Sequence, residues 1–260
     1  MNTASYHSDF RLTDTHAHIC DDAFEPDRAE VLERASSVGI KAIIAVGEDM
    51  TDAEKNLALS RIFPILKPAA GLYPTHLNMN ACEAMVAFIR NNRRELIGIG
   101  EVGLDFWKIK EEKDRELQKE IFIRFIELAK ELDLPLNVHS RSAGRHAVDL
   151  LIKNGAKRVQ MHAFDGKITA ARPAVEAGYL FSIPPSIIRS RQKQKLVKNL
   201  PLESLLVETD SPVLGPDAGT RNEPANLNIA IQAIAELKDL PKKEVVRSVT
   251  ENTRRFYDTR

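Results

Sequence analysis

The sequence contains few cysteines and no long apolar run, and each absence argues against a class of protein. Its two cysteines, Cys20 and Cys82, lie far apart, so there is neither a disulfide framework nor a CxxC motif. No apolar stretch approaches about 18 residues, which argues against a membrane span. The N-terminal stretch MNTASYHSDFR also lacks the pattern of a signal peptide. We therefore expect a cytoplasmic protein without a membrane partner.

The sequence also has no excess of basic over acidic residues, or the reverse. The 260 residues include 37 Lys and Arg and 37 Asp and Glu, so the formal net charge is zero. A general electrostatic attraction to nucleic acid is thus excluded, and binding of that kind would need a local basic patch. Heptad repeats and a broad apolar stripe are also missing, which leaves the oligomeric state open and favours a monomer.

Eight short apolar runs alternate with charge-rich segments in which apolar residues recur at helical spacing. The runs are LTDTHAHI, KAIIAVGE, ILKPAAGLYP, LIGIGEVGLD, PLNVHSR, RVQMHAF, YLFSIPP and LLVETDSP. Strands that alternate with helices pair in parallel through right-handed crossovers. The alternative is an open doubly wound sheet, but no G-x-G-x-x-G motif follows an early strand. The pattern therefore predicts an α/β fold, a single (β/α)8 TIM barrel over residues 1–260.

The C-terminal stretch predicts two further helices. In EPANLNIAIQAIAELKDLPKKEVVRSVTENTRRFYDT, apolar residues recur at helical spacing on both sides of Pro241. We expect these two helices to be separated at Pro241 and to pack on the outside of the barrel.

Histidines and carboxylates recur where the predicted strands end. In TDTHAHI, His16 and His18 are two positions apart, so on a strand both imidazoles project from one face. Each could instead be a polar residue satisfied by the backbone. In a barrel of this type, however, the C-terminal strand ends meet at one mouth. The candidate metal ligands at that mouth are His16, His18, Glu101, His139, His162 and Asp210.

Taken singly, these residues have simpler explanations. Asp210 precedes Ser-Pro and could cap a turn, and Glu101 lies between glycine-containing segments and could form a structural salt bridge. Together, four imidazoles and two carboxylates suit two divalent cations. Two closely spaced cations activate water and stabilise both the attacking and the leaving oxygens. The residues therefore predict a binuclear metal-dependent hydrolase.

Several motifs resemble the signature segments of one family. TDTHAHI, IGEVGLDF, NVHSRSAG, MHAFDG, ETDSPVLGP and TRNEP look like those of the TatD family of metal-dependent deoxyribonucleases, in the amidohydrolase superfamily. They span residues 14–224 in the family's order. The stretches HSRSAGRHAVDLLIKNGAKRV and AGYLFSIPPSIIRSRQKQKLVKNLP look most like the TatD-domain-containing-3 branch.

The resemblance implies a role for each candidate ligand. The two histidines of the D-T-H-A-H segment would hold one metal, and Glu101 would bridge both metals. His139 and His162 would hold the second metal. Asp210 would bind the first metal and act as the catalytic base. The implied cofactors are two divalent ions of Zn, Mg or Mn. The implied reaction is hydrolysis of DNA phosphodiester bonds by metal-activated water, as a 3′ to 5′ exonuclease on single-stranded ends.

One departure from the family pattern keeps other substrates open. The third strand of the family ends in Gly-x-His-Pro, whereas this sequence reads GLYPTH, with Tyr73 in place of the histidine and His76 three residues later. The same metal site could therefore hydrolyse an ester or amide, such as a mischarged aminoacyl-tRNA. A further alternative is a barrel that only binds a partner and carries structural metals.

Candidate substrate-binding residues are mostly basic. No Asp or Glu occurs from Ala177 to Leu202, and this span carries Arg189, Arg191, Lys193, Lys195 and Lys198. The run could follow a phosphate backbone, or it could be a solvated helix face. The five substrate-binding candidates are Arg141, Arg189, Arg221, His76 and Tyr73.

Among these candidates, Arg189 is favoured within the basic run because it is nearest the strand end. Arg141 is favoured as a phosphate clamp over Arg145. Arg221 either reaches the mouth or fixes its own loop. Tyr73 and His76 stand near the end of the third strand.

Three carboxylates are candidates to orient the metal ligands. A ligating histidine usually donates its other ring N–H to an acceptor outside the metal's coordination sphere. The candidate acceptors are Asp14, Asp105 and Glu208, and Asp105 could instead contact substrate. Trp107, the single tryptophan, follows in the same loop as Asp105. It is either a stacking surface for a base or a core or lid aromatic.

Overall fold

Eight parallel strands form the wall of a barrel in the computed structural model, which describes residues 11–257. The N-terminal stretch considered for a signal peptide lies outside the described residues except for Arg11. The strands are β1 (Leu12–Ala17), β2 (Ile40–Ala45), β3 (Leu66–Ala70), β4 (Gly98–Gly103), β5 (Leu136–His139), β6 (Val159–Met161), β7 (Leu180–Ile183) and β8 (Leu205–Val207).

Helices follow the strands in alternation, as the sequence pattern predicts. They are α1 (Arg28–Ser37), α2 (Met50–Ile62), α3 (Met79–Asn92), α4 (Glu112–Leu132), α5 (Gly144–Lys153), α6 (Ile168–Glu176), α7 (Arg191–Asn199), α8 (Leu227–Lys238) and α9 (Lys242–Tyr257). The predicted (β/α)8 barrel is therefore confirmed, and α8 and α9 are separated at Pro241 as expected.

The barrel is nearly closed between its first and last strands. The strands follow the order β1 to β8 without a break in parallel pairing. Across the seam, the Thr15 hydroxyl donates to the Val207 carbonyl at 2.9 Å, and the Asp210 N–H donates to the His16 carbonyl at 2.8 Å. The chain segments that carry His16 and Asp210 are thereby joined by their backbones.

The longest helix, α4, illustrates how the helices cover the barrel. Buried side chains recur along it at positions one, four and five residues apart, including Ile121, Phe122, Phe125 and Ile126. This spacing puts one apolar face against the sheet and leaves the charged face in water. Acidic residues occupy its first turn and Lys130 its last, which complements the helix dipole.

The end of α9 packs at the N-terminal end of the barrel. Asn252 donates to the carbonyl of Leu205, the first residue of β8, at 2.9 Å. Tyr257 is buried, and its hydroxyl donates to Gln160 Oε1 at 2.6 Å. The last helix therefore closes the end of the barrel that lies opposite the strand C-termini.

Strands β4 and β5 approach each other closely at their C-terminal ends. Gly103 has a φ of +144°, and a Cβ at this position would lie 2.0 Å from the His139 carbonyl oxygen. Only glycine accommodates both the conformation and the contact. This close approach places Glu101 on β4 beside His139 on β5.

Candidate metal centre

His16 and His18 converge on one spot, as the sequence predicts. β1 ends at Ala17, so His16 lies in the strand and His18 directly follows it. Their Nε2 atoms are 3.2 Å apart, and the two rings meet edge to face. Both nitrogens face the same two carboxylates. They lie 3.4 and 3.5 Å from Asp210 Oδ1 and 3.9 and 3.4 Å from Glu101 Oε2, for His16 and His18 respectively.

Glu101 occupies the centre of the cluster. Its Oε1 atom lies 2.6 Å from His139 Nδ1 and 3.6 Å from His162 Nε2, while Oε2 faces His16 and His18. Within residues 11–257, two sets of three ligand atoms each lie within 4.8 Å of one another and share this carboxylate: His16, His18 and Glu101, and Glu101, His139 and His162. A third such set joins His16, His162 and Glu208. Glu101 is therefore placed where a bridging ligand would be.

Asp210 approaches the cluster from the loop after β8. Its Oδ2 atom is 3.8 Å from His162 Nε2, so its two oxygens face histidines of both sets. The backbone φ of Asp210 is +55°, a left-handed conformation that Asp adopts more readily than most residues. The turn directs the carboxylate back towards the strand ends.

The electrostatics of the cluster favour positive charge. Burial opposes charge on His16, but Asp210 and Glu101 raise its pKa to about 10. Burial likewise opposes charge on His139, and Glu101 and Asp105 raise its pKa to about 9. Burial would raise the pKa of Asp210, yet the neighbouring histidines hold it well below its usual range. A divalent cation bound by neutral imidazoles would supply this positive charge, so the donor set fits metal ions.

The outward-facing ring nitrogens of three histidines each meet an acceptor. Glu208 Oε2 is 3.1 Å from His162 Nδ1, and Asp105 Oδ2 is 3.1 Å from His139 Nε2. These are the contacts expected of orienting partners. For His16 the acceptor is Asn137 Oδ1, at 2.9 Å from Nδ1. Sequence reasoning missed Asn137, although its place two residues before His139 on a buried strand was a usable signal.

The interpretation of Asp14 needs correction. Its carboxylate accepts from the backbone N–H groups of His16 at 3.3 Å and Thr209 at 2.9 Å, and from the Thr209 hydroxyl. It therefore contacts no ligand imidazole and instead joins β1 to the segment after β8. Alternation along β1 puts Asp14 on the face of His16, but one step deeper in the barrel, where the Thr209 donors lie.

A cavity of about 360 Å³ opens above the cluster. Ligand-set members in its wall are His18, Glu101, His139, His162 and Asp210. Further residues in its wall are Glu48, Tyr73, Ser140, Arg141, Ala163, Asp165, Lys193, Val213 and Leu214. The volume suits one small ligand or the end of an extended one rather than a folded partner.

The two candidates after β3 are placed differently. Tyr73 lines the cavity, and its hydroxyl lies 3.3 Å from Asp105 Oδ2 and 3.4 Å from His139 Nε2. Burial and the nearby carboxylates of Glu101 and Asp105 raise its pKa, so the phenol stays protonated and can donate. His76 is exposed and is not in the cavity wall. Tyr73, and not His76, therefore faces the candidate metal ligands.

Arg141 lies at the cavity and stacks on Trp107. The centre of its guanidinium is 3.8 Å from the centre of the indole ring, which is 49 % exposed. Trp107 is therefore not a core residue. The stack limits the rotamers of Arg141 and directs the guanidinium along the cavity wall.

The choice of Arg189 as the substrate-binding residue of the basic run needs correction. Arg189 is exposed and outside the cavity wall, and its Nε donates to the Gly215 carbonyl at 3.2 Å. Lys193 is the member that lines the cavity, with 8 % of its surface exposed. The rotation of α7 decides this, because its apolar side chains Leu196 and Val197 turn the same face inwards. The remaining members of the run, Arg191, Lys195 and Lys198, are exposed on the other face.

Arg221 holds its own loop in place and does not reach the mouth of the barrel, which is the second of the two roles considered for it. Its Nη1 and Nη2 atoms donate to Asp27 at 2.7 and 2.6 Å, and Nη1 also donates to the Ala23 carbonyl at 2.5 Å. Arg221 is not in the cavity wall. Its prediction as a substrate-binding residue is therefore corrected, because these contacts occupy the guanidinium.

We expect Arg221→Met to loosen the loop without disturbing the metal ligands. Limited proteolysis within residues 211–223 should become faster, because the bidentate contact with Asp27 is lost. The melting temperature should fall by at most a few degrees, since both side chains of the pair are accessible to solvent, at 34 % and 33 % of their surface. Arg172→Met, at an exposed arginine of α6, is the matched control. Unchanged proteolysis in Arg221→Met would contradict this role.

The fold and the site together define a class of protein. A parallel (β/α)8 barrel with imidazoles and carboxylates gathered at the C-terminal strand ends is the architecture of a metal-dependent hydrolase. The chain belongs to the family described as TatD related DNase, whose model matches residues 13–258. The resemblance inferred from the motifs is thereby confirmed.

Individual relatives are similar over nearly their whole length. The human protein named Deoxyribonuclease TATDN3 is 43% identical over 258 residues, covering 95% of this chain and 94% of its own. An uncharacterised metal-dependent hydrolase of Methanocaldococcus jannaschii is 35% identical, covering 97% of this chain and 99% of its own. The crystal structure of the TatD homologue YjjV of Escherichia coli has a TM-score of 0.88 at 27% identity, covering 96% and 99%.

Among residues 11–257, every helix is too short or too polar to cross a membrane.

Proposed function

We propose that this protein is a metal-dependent deoxyribonuclease that hydrolyses phosphodiester bonds from the 3′ end of single-stranded DNA. The observation that carries the proposal is the pair of three-ligand sets sharing Glu101 at the floor of an open cavity. The family, described as a DNase family, and the human relative, named a deoxyribonuclease, support DNA as the substrate. A cavity of about 360 Å³ favours a strand end over an intact duplex.

The donor set suits two divalent ions, of Zn, Mg or Mn. One ion would be held by His16, His18, Glu101 and Asp210, and the other by Glu101, His139 and His162. When bound, such ions would stabilise negative charge on the phosphate oxygens and lower the pKa of a coordinated water.

The protein's own groups have distinct tasks in the proposed reaction. Asp210 is ionised and accepts the proton of the attacking water. Arg141, held against Trp107, donates to phosphate oxygens and stabilises the charge that develops on them. Glu208, Asp105 and Asn137 keep the ligand imidazoles in fixed orientations.

The test is a cleavage assay on a defined strand. Chelator-stripped protein receives Mg²⁺, Mn²⁺ or Zn²⁺ and a single-stranded DNA oligonucleotide labelled at its 5′ end. We expect a ladder that shortens from the 3′ end only when metal is present. A duplex of the same sequence and an RNA of the same sequence are run in parallel. Internal cuts, or faster cleavage of the duplex or RNA, would contradict the proposed specificity.

Tyr73 favours a second candidate function at the same site. Where the family has a histidine, this chain has a phenol that contacts His139 and Asp105. A changed donor beside the metal ligands fits a changed substrate, such as the ester of a mischarged aminoacyl-tRNA. Release of the amino acid from mischarged tRNA, with no cleavage of any nucleic acid, would favour this candidate.

We expect Tyr73→Phe to lower kcat/KM on the cleaved substrate about fivefold. The variant loses the hydroxyl that contacts Asp105 and His139. A hydrogen bond of this kind contributes about 1 kcal/mol. Steady-state kinetics on the 5′-labelled strand measure the effect. The matched control is Tyr179→Phe. Tyr179 is buried, is not in the cavity wall, and donates its hydroxyl to the Ala156 carbonyl. Equal losses in the two variants would contradict a local role for Tyr73.

A barrel that only binds a partner is the remaining alternative. Loss of activity in His139→Ala with an intact fold would exclude it for the tested substrate. For the cellular setting, we propose the cytosol and a monomer. The two cysteines, Cys20 and Cys82, are buried and unpaired, which supports a reducing compartment.

A further inference from the structure

Lys193 is a buried cation in the cavity wall to which the proposed reaction assigns no task. It lies on the inward face of α7 with Leu196 and Val197. Its ammonium donates to the Ala163 carbonyl at 2.8 Å, and no carboxylate of residues 11–257 forms an ion pair with it. A buried ammonium without an ion-pair partner is costly, so an unpaired one in a ligand cavity suggests an anionic ligand.

The surroundings of Lys193 act on the charge of its ammonium in opposite directions. Burial lowers its pKa, while the more distant carboxylates of Glu208, Asp165 and Asp210 oppose that lowering. An ammonium has three N–H donors, and the Ala163 carbonyl takes one of them. Two donors therefore remain for a ligand, and the anchor to the loop after β6 fixes the position of the nitrogen.

The rest of the cavity wall strengthens the argument from charge. Its carboxylates include Glu48, Glu101, Asp165 and Asp210, which repel a polyanionic strand. Within the described part of the chain, Lys193 and Arg141 are the lysine and arginine side chains of this wall. The ammonium of Lys193 contacts the carbonyl of Ala163, the residue after the candidate ligand His162, and it shares the cavity wall with Glu101 and Asp210.

We propose that Lys193 donates a hydrogen bond to a non-bridging oxygen of the phosphate next to the scissile one. This contact positions the strand, so Lys193 is a substrate-binding residue. The inference rests on the proposed function, because it takes the substrate to be a nucleic acid strand. It gives an anionic partner to the donors of this inward lysine that the Ala163 carbonyl leaves free.

The test combines a protein change with a substrate change. Wild-type protein and Lys193→Met are assayed on the single-stranded oligonucleotide and on versions that carry one neutral methylphosphonate. That linkage is placed next to the scissile phosphate or three linkages away. Lys153→Met is the matched control, because Lys153 is exposed at the C-terminal end of α5, away from the cavity. Metal content and melting temperature are measured for each protein.

We expect Lys193→Met to lower kcat/KM on the unmodified strand about 10- to 100-fold, the range for a hydrogen bond to a charged group. The adjacent methylphosphonate should cost the wild type a similar factor but cost Lys193→Met less than about threefold, because the two changes remove the same contact. Metal content should stay unchanged. The inference would be overturned if the two changes lowered kcat/KM by independent factors that multiply. It would also be overturned if Lys193→Met had the kcat/KM of wild type or lost metal.

A binding measurement separates this inference from the proposed function. The same strand, labelled with fluorescein, is titrated with each protein in chelator and followed by anisotropy. Wild-type protein that neither cleaves nor binds the strand would overturn both proposals. Wild-type cleavage with Lys193→Met equal to wild type in both measurements would overturn only the role of Lys193.

Discussion

Asp210→Asn is expected to lower kcat on the cleaved DNA strand by about 10²- to 10⁴-fold, the contribution of a general base. The amide is nearly isosteric with the carboxylate but cannot accept the proton of the attacking water. The Asp210 oxygens lie 3.4 Å from His16, 3.5 Å from His18 and 3.8 Å from His162, so the change acts at the centre of the site. Steady-state kinetics with saturating metal measure the effect.

The control for Asp210→Asn is Asp217→Asn in the same loop. Asp217 is exposed and outside the cavity wall, so its variant should keep wild-type activity. Metal content of Asp210→Asn distinguishes loss of the base from loss of an ion. A variant that keeps its metal and retains more than about a tenth of wild-type kcat would contradict the assignment of Asp210 as base.

Glu101→Gln is expected to reduce the number of bound metal ions and to lower activity by about a thousandfold or more. Its two oxygens face both three-ligand sets, so an amide, which carries no charge, weakens both at once. The metal contribution to such a reaction is several kcal/mol, and about 4 kcal/mol corresponds to a thousandfold. Elemental analysis after dialysis and the single-strand cleavage assay measure the two effects.

Glu54→Gln provides the control for Glu101→Gln, because Glu54 is exposed on α2. Thermal unfolding of Glu101→Gln shows whether the barrel still forms. Folded Glu101→Gln with full metal content and activity would exclude a bridging role. In that case the third ligand set, with His16, His162 and Glu208, would become the alternative metal site.

The barrel could be predicted from the sequence because its signals are local. Strand length, helical spacing and the breaks between them recur eight times, and parallel pairing follows from the alternation. The candidate ligands could also be predicted, since a residue that ends a barrel strand is delivered to the mouth whatever the details of packing. His139, at the last position of β5, is an example.

What the sequence by itself determined was therefore the class of fold, the positions of the candidate ligands and the family. Only the tertiary structure decided which side chains orient the candidate ligands and which basic side chains face the cavity. Asn137 rather than Asp14 meets the His16 ring, and Lys193 rather than Arg189 enters the wall. The physical reason is that such contacts join residues distant in sequence and depend on depth in the barrel and on helix rotation. Arg221 is fixed by Asp27 on the first loop, a pairing that no local pattern specifies.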